Sequence, residues 1–538
     1  MAWTTAELPP RYNAAADLLD QNLAAGRGQK VAIRTTEGAE LTYAEVAAGA
    51  NRFGNALGEL GVELENRVLL ALLDTPEFAT AFFGAIKAGV VPIPVNTNLK
   101  PHDYAYFLND SRARAAVVSA PLADRIRSIR GELRYLRHLI VVGKAGPGEL
   151  SYAEITGAAS DELEAAETTP DDMCFWQYSS GTTGFPKGVV HLQHDMRYCC
   201  ENFARPVLGI GADDVTFSVA KLYFAYGLGN ALYFPFSVGA TTVLMSGAPA
   251  PAAVLDAVRQ QRPSLYFGVP TSYANTLAAD PETWAAADFS SVRLCVSAGE
   301  PLAGSIFERW RARTGTVILD GIGSTECCHI FISNRPQDVR PDCSGTVVPG
   351  YEAVVVDEAG QELAPGEVGT LLVKGDSIGA FYWNQHNRTK RTIKGEWIDT
   401  GDKYSRDAEG YFKYQGRSDD MLKVGGIWVS PTEVEGAINA HESVLECAVV
   451  GIVDDRQLVL PEAFVVLQSS AHAGPELEEA LRAHVRDRLA HFKCPRDFHF
   501  VEELPKTATG KIQRFKLRRP TPPPEVEAEA DPSPLRGG

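Results

Sequence analysis

The start of the chain lacks a basic leader followed by an apolar core: Met1-Ala2-Trp3-Thr4-Thr5-Ala6-Glu7 carries no lysine or arginine. That pattern argues against a secretory signal and gives the expectation of a cytoplasmic protein. Long apolar runs are scarce too. The most apolar stretch, 78–95, is broken by Lys87, Pro92 and Pro94 and is too short to cross a bilayer. It reads as a helix over 79–88, a stop at Gly89 and a buried strand from Val90. Positive charge is in deficit, with 51 Lys and Arg against 68 Asp and Glu, a net −17 over 538 residues. This excludes a general nucleic-acid binder and a protein held by charge on an anionic membrane. Cys-x-x-Cys spacing is absent among the nine cysteines, which include the vicinal pairs Cys199-Cys200 and Cys327-Cys328. Such an odd, irregular set reads as reduced thiols packed in a core. No repeat of solenoid period is found, and His191 and His194 lack the matching cysteines or carboxylates of a zinc site.

What is present has the texture of an α/β protein. Strand-length apolar runs at 68–73, 115–118, 139–142 and 294–297 alternate with longer helix-like stretches, the mark of stacked α/β layers with largely parallel sheets. From Gly350 the runs shorten (353–356, 369–373) between Gly, Asp and Glu turns, which predicts a small antiparallel sheet or β-barrel-like subdomain. A joint is expected at Gly416-Arg417-Ser418-Asp419-Asp420. The organisation predicted is therefore a large N-terminal body over 1–416, a small mobile α+β lid over 417–519, and a Pro- and Glu-rich disordered tail over 520–538.

The strongest local signal is Ser179-Ser180-Gly181-Thr182-Thr183-Gly184-Phe185-Pro186-Lys187-Gly188, after the apolar run 174–178. Gly181 and Gly184 let backbone N–H groups approach phosphate oxygens, the hydroxyls donate further hydrogen bonds, and Lys187 supplies charge. This is a polyphosphate loop, but not a Walker A loop, because Pro-Lys-Gly stands where Gly-Lys-Ser/Thr would be required.

The loop resembles the nucleotide signature of the adenylate-forming superfamily of acyl- and aryl-CoA ligases, luciferases and peptide-synthetase adenylation domains. Other signatures of that family follow in order. Ser324-Thr325-Glu326 resembles its Thr-Glu core, Thr400-Gly401-Asp402 its ribose motif, Gly416 to Asp420 its hinge, and Pro505-Lys506-Thr507-Ala508-Thr509-Gly510-Lys511 its C-terminal lysine motif. The resemblance implies two half-reactions: a carboxylate attacks the α-phosphorus of ATP to give an acyl-adenylate and pyrophosphate, then the thiol of coenzyme A displaces AMP. It implies ATP, Mg²⁺ and coenzyme A as cofactors, with Glu326 and Thr183 on Mg²⁺ and the loop from Ser179 to Lys187 on the β- and γ-phosphates. Ala298-Gly299-Glu300-Pro301 and Asp320-Gly321-Ile322-Gly323 would flank adenine. Relatives usually have an aromatic residue where Ile322 stands, so adenine is expected on an aliphatic face here. Asp402 and Arg417 would hold the ribose, and Lys511 would join the substrate carboxylate to the α-phosphate. Asp419 would be the pivot of a lid rotation, with Lys423, Gly425 and Gly426 facing coenzyme A.

The acid pocket is expected along 221–230. Amino-acid-activating relatives carry an Asp in this region, and none stands here. Phe224 and Tyr226 offer aromatic walls at strand or loop spacing, while Ala225 and Gly227 leave a narrow slot suited to a flat ring. The segment, together with Cys327-Cys328-His329-Ile330, resembles benzoate, hydroxybenzoate and aminobenzoate CoA ligases, which implies that His329 and Ile330 line the ring with Ala298 and Gly323. The small thiols of Cys327 and Cys328 would leave room for an amino or hydroxyl substituent. The expected partners are thus an aromatic carboxylate, ATP and CoA, without nucleic acid or membrane, in a possible homodimer. Two alternatives stay open: an adenylation enzyme that loads a carrier protein in trans, and an inactive nucleotide-binding relative.

Overall fold

The computed structural model describes residues 2–179, 186–417, 420–424, 427–453, 459–469, 471–506 and 512–518. The chain divides into two compact units, the first ending at Ser418 and the second beginning at Asp419.

The first unit is built on two largely parallel sheets. One has nine strands, with Val31–Thr35, Thr241–Leu244, Val215–Ser218, Leu265–Gly268, Leu294–Ser297 and Ile318–Gly323 running parallel side by side. The other has five parallel strands in the order Val91–Pro94, Arg67–Ala71, Ala115–Ser119, His138–Val142 and Leu150–Ser151. Their continuous apolar runs follow from layers that cover both faces. The 78–95 stretch behaves nearly as read. Its helix is Pro76–Lys87, opened three residues earlier by a proline at its first turn, and Gly89 takes φ +75° to turn the chain into Val91–Pro94. Lys87 is buried, and its ammonium lies 2.9 Å from Asp20.

Two antiparallel sheets complete this unit. Met173–Ser179 and Lys187–Leu192 form a hairpin joined by Phe381–Tyr382. Glu352–Val356, Val368–Lys374, Trp397–Arg406, Ile393–Lys394 and Phe412–Arg417 make a five-stranded sheet in the region where short strands were expected. The second unit packs helices Pro431–Asn439 and Pro475–Arg488 over the three-stranded sheet Val444–Val453, Val459–Leu467 and Asp497–Phe500, around Val434, Ile438, Leu481 and Val485. No helix among the described residues is long and apolar enough to cross a membrane.

Candidate active site

Three of the predicted motifs leave the same edge of the nine-stranded sheet. The 221–230 segment follows Val215–Ser218, the 298–301 wall follows Leu294–Ser297, and the Thr-Glu core follows Ile318–Gly323. Carboxyl ends of parallel strands are where open α/β sheets place their ligands. Ser297 and Asp320 are register partners at this edge. Gly323 is required by space: a Cβ there would sit 2.6 Å from the carbonyl oxygen of His329.

The phosphate loop spans a hairpin whose last register pair is Ser179 with Lys187. Ser180, Gly181, Thr182, Thr183, Gly184 and Phe185 lie outside the described residues, but both feet are anchored. Tyr178 Oη donates to Asp110 Oδ2 at 2.7 Å, and Tyr106 Oη donates to the carbonyl of Pro186 at 2.7 Å. Both anchors come from helix Pro101–Asp110.

Glu326 lies in the short turn Thr325–Cys327, capped by Ser324 Oγ, which accepts from Cys327 N. Its Oε1 is 2.7 Å from Lys187 Nζ and accepts from Ser179 Oγ at 3.0 Å and from Tyr382 Oη at 3.1 Å. Burial raises its pKa, but the Lys187 charge and these hydrogen bonds outweigh burial and bring it down to about 2. Beside it, His191 Nε2 donates to the Thr325 carbonyl at 2.8 Å, while Nδ1 sits 2.6 Å from Asp195 Oδ2. His191 therefore holds the Thr-Glu turn.

Asp402 and Arg417 are register partners on adjacent antiparallel strands, with Arg417 Nη1 3.1 Å from Asp402 Oδ1. Gly401 precedes them at φ +72°. In the segment expected to flank adenine, Asp320 is buried, and burial pushes its carboxyl pKa up strongly. Its Oδ1 has no hydrogen-bond partner among the described residues. Gly299 takes φ +96°, and a Cβ there would meet nothing closer than Val269 at 4.0 Å, so the backbone at this wall is open. Glu300 accepts from Thr271 Oγ1 at 3.1 Å.

In the acid pocket, the expected strand or loop spacing is corrected: Phe224 is the N-cap of helix Ala225–Leu228, which runs on into Gly229–Tyr233. Tyr226 Oη donates to the carbonyl of Val296, and its ring centroid lies 5.5 Å from that of His329. His329 is buried, with Nε2 3.3 Å from the Tyr226 carbonyl and 3.2 Å from Asn230 Oδ1. A carbonyl can only accept, so Nε2 carries the proton. Burial lowers the His329 pKa to about 3 against the raising effect of the Tyr226 carbonyl, and the ring is neutral at working pH. Ile330 opens the next strand and is buried in the core. Cys327 and Cys328 follow the Thr-Glu core directly. Both pack into the core, Cys328 with its thiol 3.6 Å from Tyr233 Oη, and burial raises both thiols.

Residues 20–383 match the model of the AMP-binding enzyme family, and 433–511 match that of the AMP-binding enzyme C-terminal domain. The chain belongs to the AMP-binding enzyme family. It is 51% identical to the benzoate–CoA ligase of Thauera aromatica, over 95% of this chain and 97% of that one. It is 45% identical to the 4-hydroxybenzoate–CoA/benzoate–CoA ligase of Rhodopseudomonas palustris, over 95% and 94%. The crystal structure of the anthranilate CoA ligase AuaEII with anthranoyl-AMP superposes with a TM-score of 0.92 at 44% identity, covering 96% of this chain and 98% of that one.

Against this AMP-binding scaffold, Ser179, Lys187 and Glu326 come together, as do Asp402 with Arg417 and Tyr226 with His329. Lys511, Asp419, Gly425 and Gly426 lie outside the described residues. Lys423 sits in the strand Leu422–Val424, paired in register with Trp428. Sequence reading missed Tyr382, His191 and the Tyr106–Asp110 anchor. Tyr382 is 56 residues from Glu326, and no local pattern links the two. Asn230 was inside the pocket segment, but its amide gave no signal until His329 was placed beside it.

Proposed function

We propose that this protein is an AMP-forming aryl-CoA ligase that activates benzoate, or benzoate bearing a small amino or hydroxyl group, as its acyl-adenylate and passes the acyl group to coenzyme A. The observation that carries the reading is one edge of one sheet. It presents an ionised carboxylate paired with the phosphate-loop lysine, in the same region as the adjacent rings of Tyr226 and the neutral His329. The named relatives and the anthranoyl-AMP complex support an aromatic acid.

In the first half-reaction a carboxylate oxygen of the acid bonds to the α-phosphorus, and the bond to pyrophosphate breaks. Lys187 would neutralise charge on the leaving phosphates, while Asp402 and Arg417 would fix the ribose. Glu326, held ionised at a partly buried position, is a suitable hard-oxygen ligand for Mg²⁺, which when bound supplies further neutralisation of the polyphosphate. Lys511 would bridge acid and α-phosphate. In the second half-reaction the thiol of coenzyme A bonds to the acyl carbon and AMP leaves. The nine cysteines carry free thiols, which supports a reducing, cytoplasmic setting. The test is AMP and thioester formation with benzoate, 2-aminobenzoate, 3- and 4-hydroxybenzoate, phenylacetate and a medium-chain fatty acid. The fatty acid performing best would overturn the aryl assignment.

A further inference from the structure

Tyr382 belongs to none of the motifs, yet it sits between the two charged groups of the phosphate site. Its strand adds to the phosphate-loop hairpin, with Tyr382 opposite Val189, and its backbone N–H donates to Thr389 Oγ1 at 3.0 Å. The ring is buried at 2% exposure. The hydroxyl accepts from Lys187 Nζ at 2.9 Å and donates to Glu326 Oε1 at 3.1 Å. Lys187 Nζ also lies 4.2 Å from the ring centroid.

In this arrangement Lys187 is neutralised by Glu326, so any phosphate that takes Lys187 must draw it from a carboxylate 2.7 Å away. A buried carboxylate left without its cation is costly unless other donors remain on it. Among the described residues two remain, Ser179 and Tyr382, and of these Tyr382 touches both members of the pair. Because a phenol both accepts and donates, it can bond the ammonium and the carboxylate together, and it can keep the carboxylate when the ammonium leaves.

We propose that Tyr382 is a positioning residue for nucleotide binding: its hydroxyl keeps Glu326 oriented while Lys187 exchanges the carboxylate for a phosphate oxygen. This rests on the reading of Lys187 and Glu326 as the ATP site. Tyr382→Phe keeps the ring and removes only the bridge. Calorimetric titration with ATP plus Mg²⁺ is expected to show about a 10-fold weaker Kd, the size of effect for losing one hydrogen bond to a charged group. The KM for benzoate and the conversion of preformed benzoyl-adenylate to thioester should both stay within about 2-fold of the parent. In a double-mutant cycle, Glu326→Gln with Tyr382→Phe should bind no worse than Glu326→Gln alone, since the tyrosine acts through that carboxylate. Unchanged Mg-ATP affinity in Tyr382→Phe, parallel loss of both half-reactions, or an additive double mutant would each overturn the proposal. If the parent protein forms no AMP with any aryl acid, the ligase reading fails, and the calorimetry still decides the role of Tyr382.

Discussion

Glu326 is the residue whose state most depends on its neighbours. Burial raises its pKa, and the Lys187 charge with the hydrogen bond from Ser179 outweighs burial and keeps it charged, with Tyr382 as a further donor to the same oxygen. Glu326→Gln preserves size and removes the charge, so pyrophosphate exchange with benzoate should fall by about 10²–10³-fold, the scale of one lost preorganised electrostatic partner. A fall of less than about 3-fold would place the carboxylate outside the chemistry. His329 makes the opposite case, a titratable group held neutral. With its pKa at about 3, the KM for the aryl acid should show no inflection between pH 5.5 and 8 that His329→Gln removes. Both residues stood in legible motifs, and their electrostatic states did not. Those states come from burial of the His329 ring and from Lys187 set beside Glu326, neither of which exists before the chain folds.

Elements explain why some of the architecture could be read in advance. The run 294–297 is the strand Leu294–Ser297, and 115–118 extends by one residue to Ala115–Ser119, because strands buried on both faces need unbroken apolar side chains. The pocket helix could not be read. Its α-helical part is four residues, barely one turn and too short for a period to repeat, and it depends on tertiary ties such as Tyr226 to the Val296 carbonyl. Another tie joins the two sheet systems. Asp74, just beyond strand Arg67–Ala71, accepts from the backbone N–H of Leu222 at 3.3 Å and lies 3.8 Å from Lys221 Nζ, at the start of the pocket segment. Burial raises the Asp74 pKa to about 6 against the lowering effect of Lys221. The fold therefore holds this proton more tightly than the unfolded chain does. That contribution is full below about pH 4 and is lost as pH rises through 6, a change on the order of 3 kcal/mol. Asp74→Asn removes it while keeping an acceptor for Leu222. Denaturant unfolding should thus show the variant gaining stability relative to the parent between pH 4.5 and 7, and a pH-independent difference would refute the assignment.

At the scale of the whole molecule, the chain is two units with separate cores, and the family signatures divide between them. The phosphate hairpin, Glu326, Asp402 and the acid pocket belong to the first, and the lysine motif belongs to the second. That division predicts that the two half-reactions can be separated by mutation. Lys511→Ala should lower adenylation by at least ~10²-fold and leave the conversion of preformed benzoyl-adenylate to thioester nearly intact. Equal loss of both would remove Lys511 from its proposed role. The net charge of −17 argued against a general nucleic-acid or membrane-binding surface, and it leaves room for a local cation at the proposed phosphate site. Among the described residues, the partly buried Lys187 there is held by one carboxylate and one phenol. The most direct measurement of the central claim is the product balance with benzoate, Mg-ATP and coenzyme A. AMP, pyrophosphate and benzoyl thioester are expected in equal amounts, and ADP as the nucleotide product, or AMP without thioester, would contradict an AMP-forming CoA ligase.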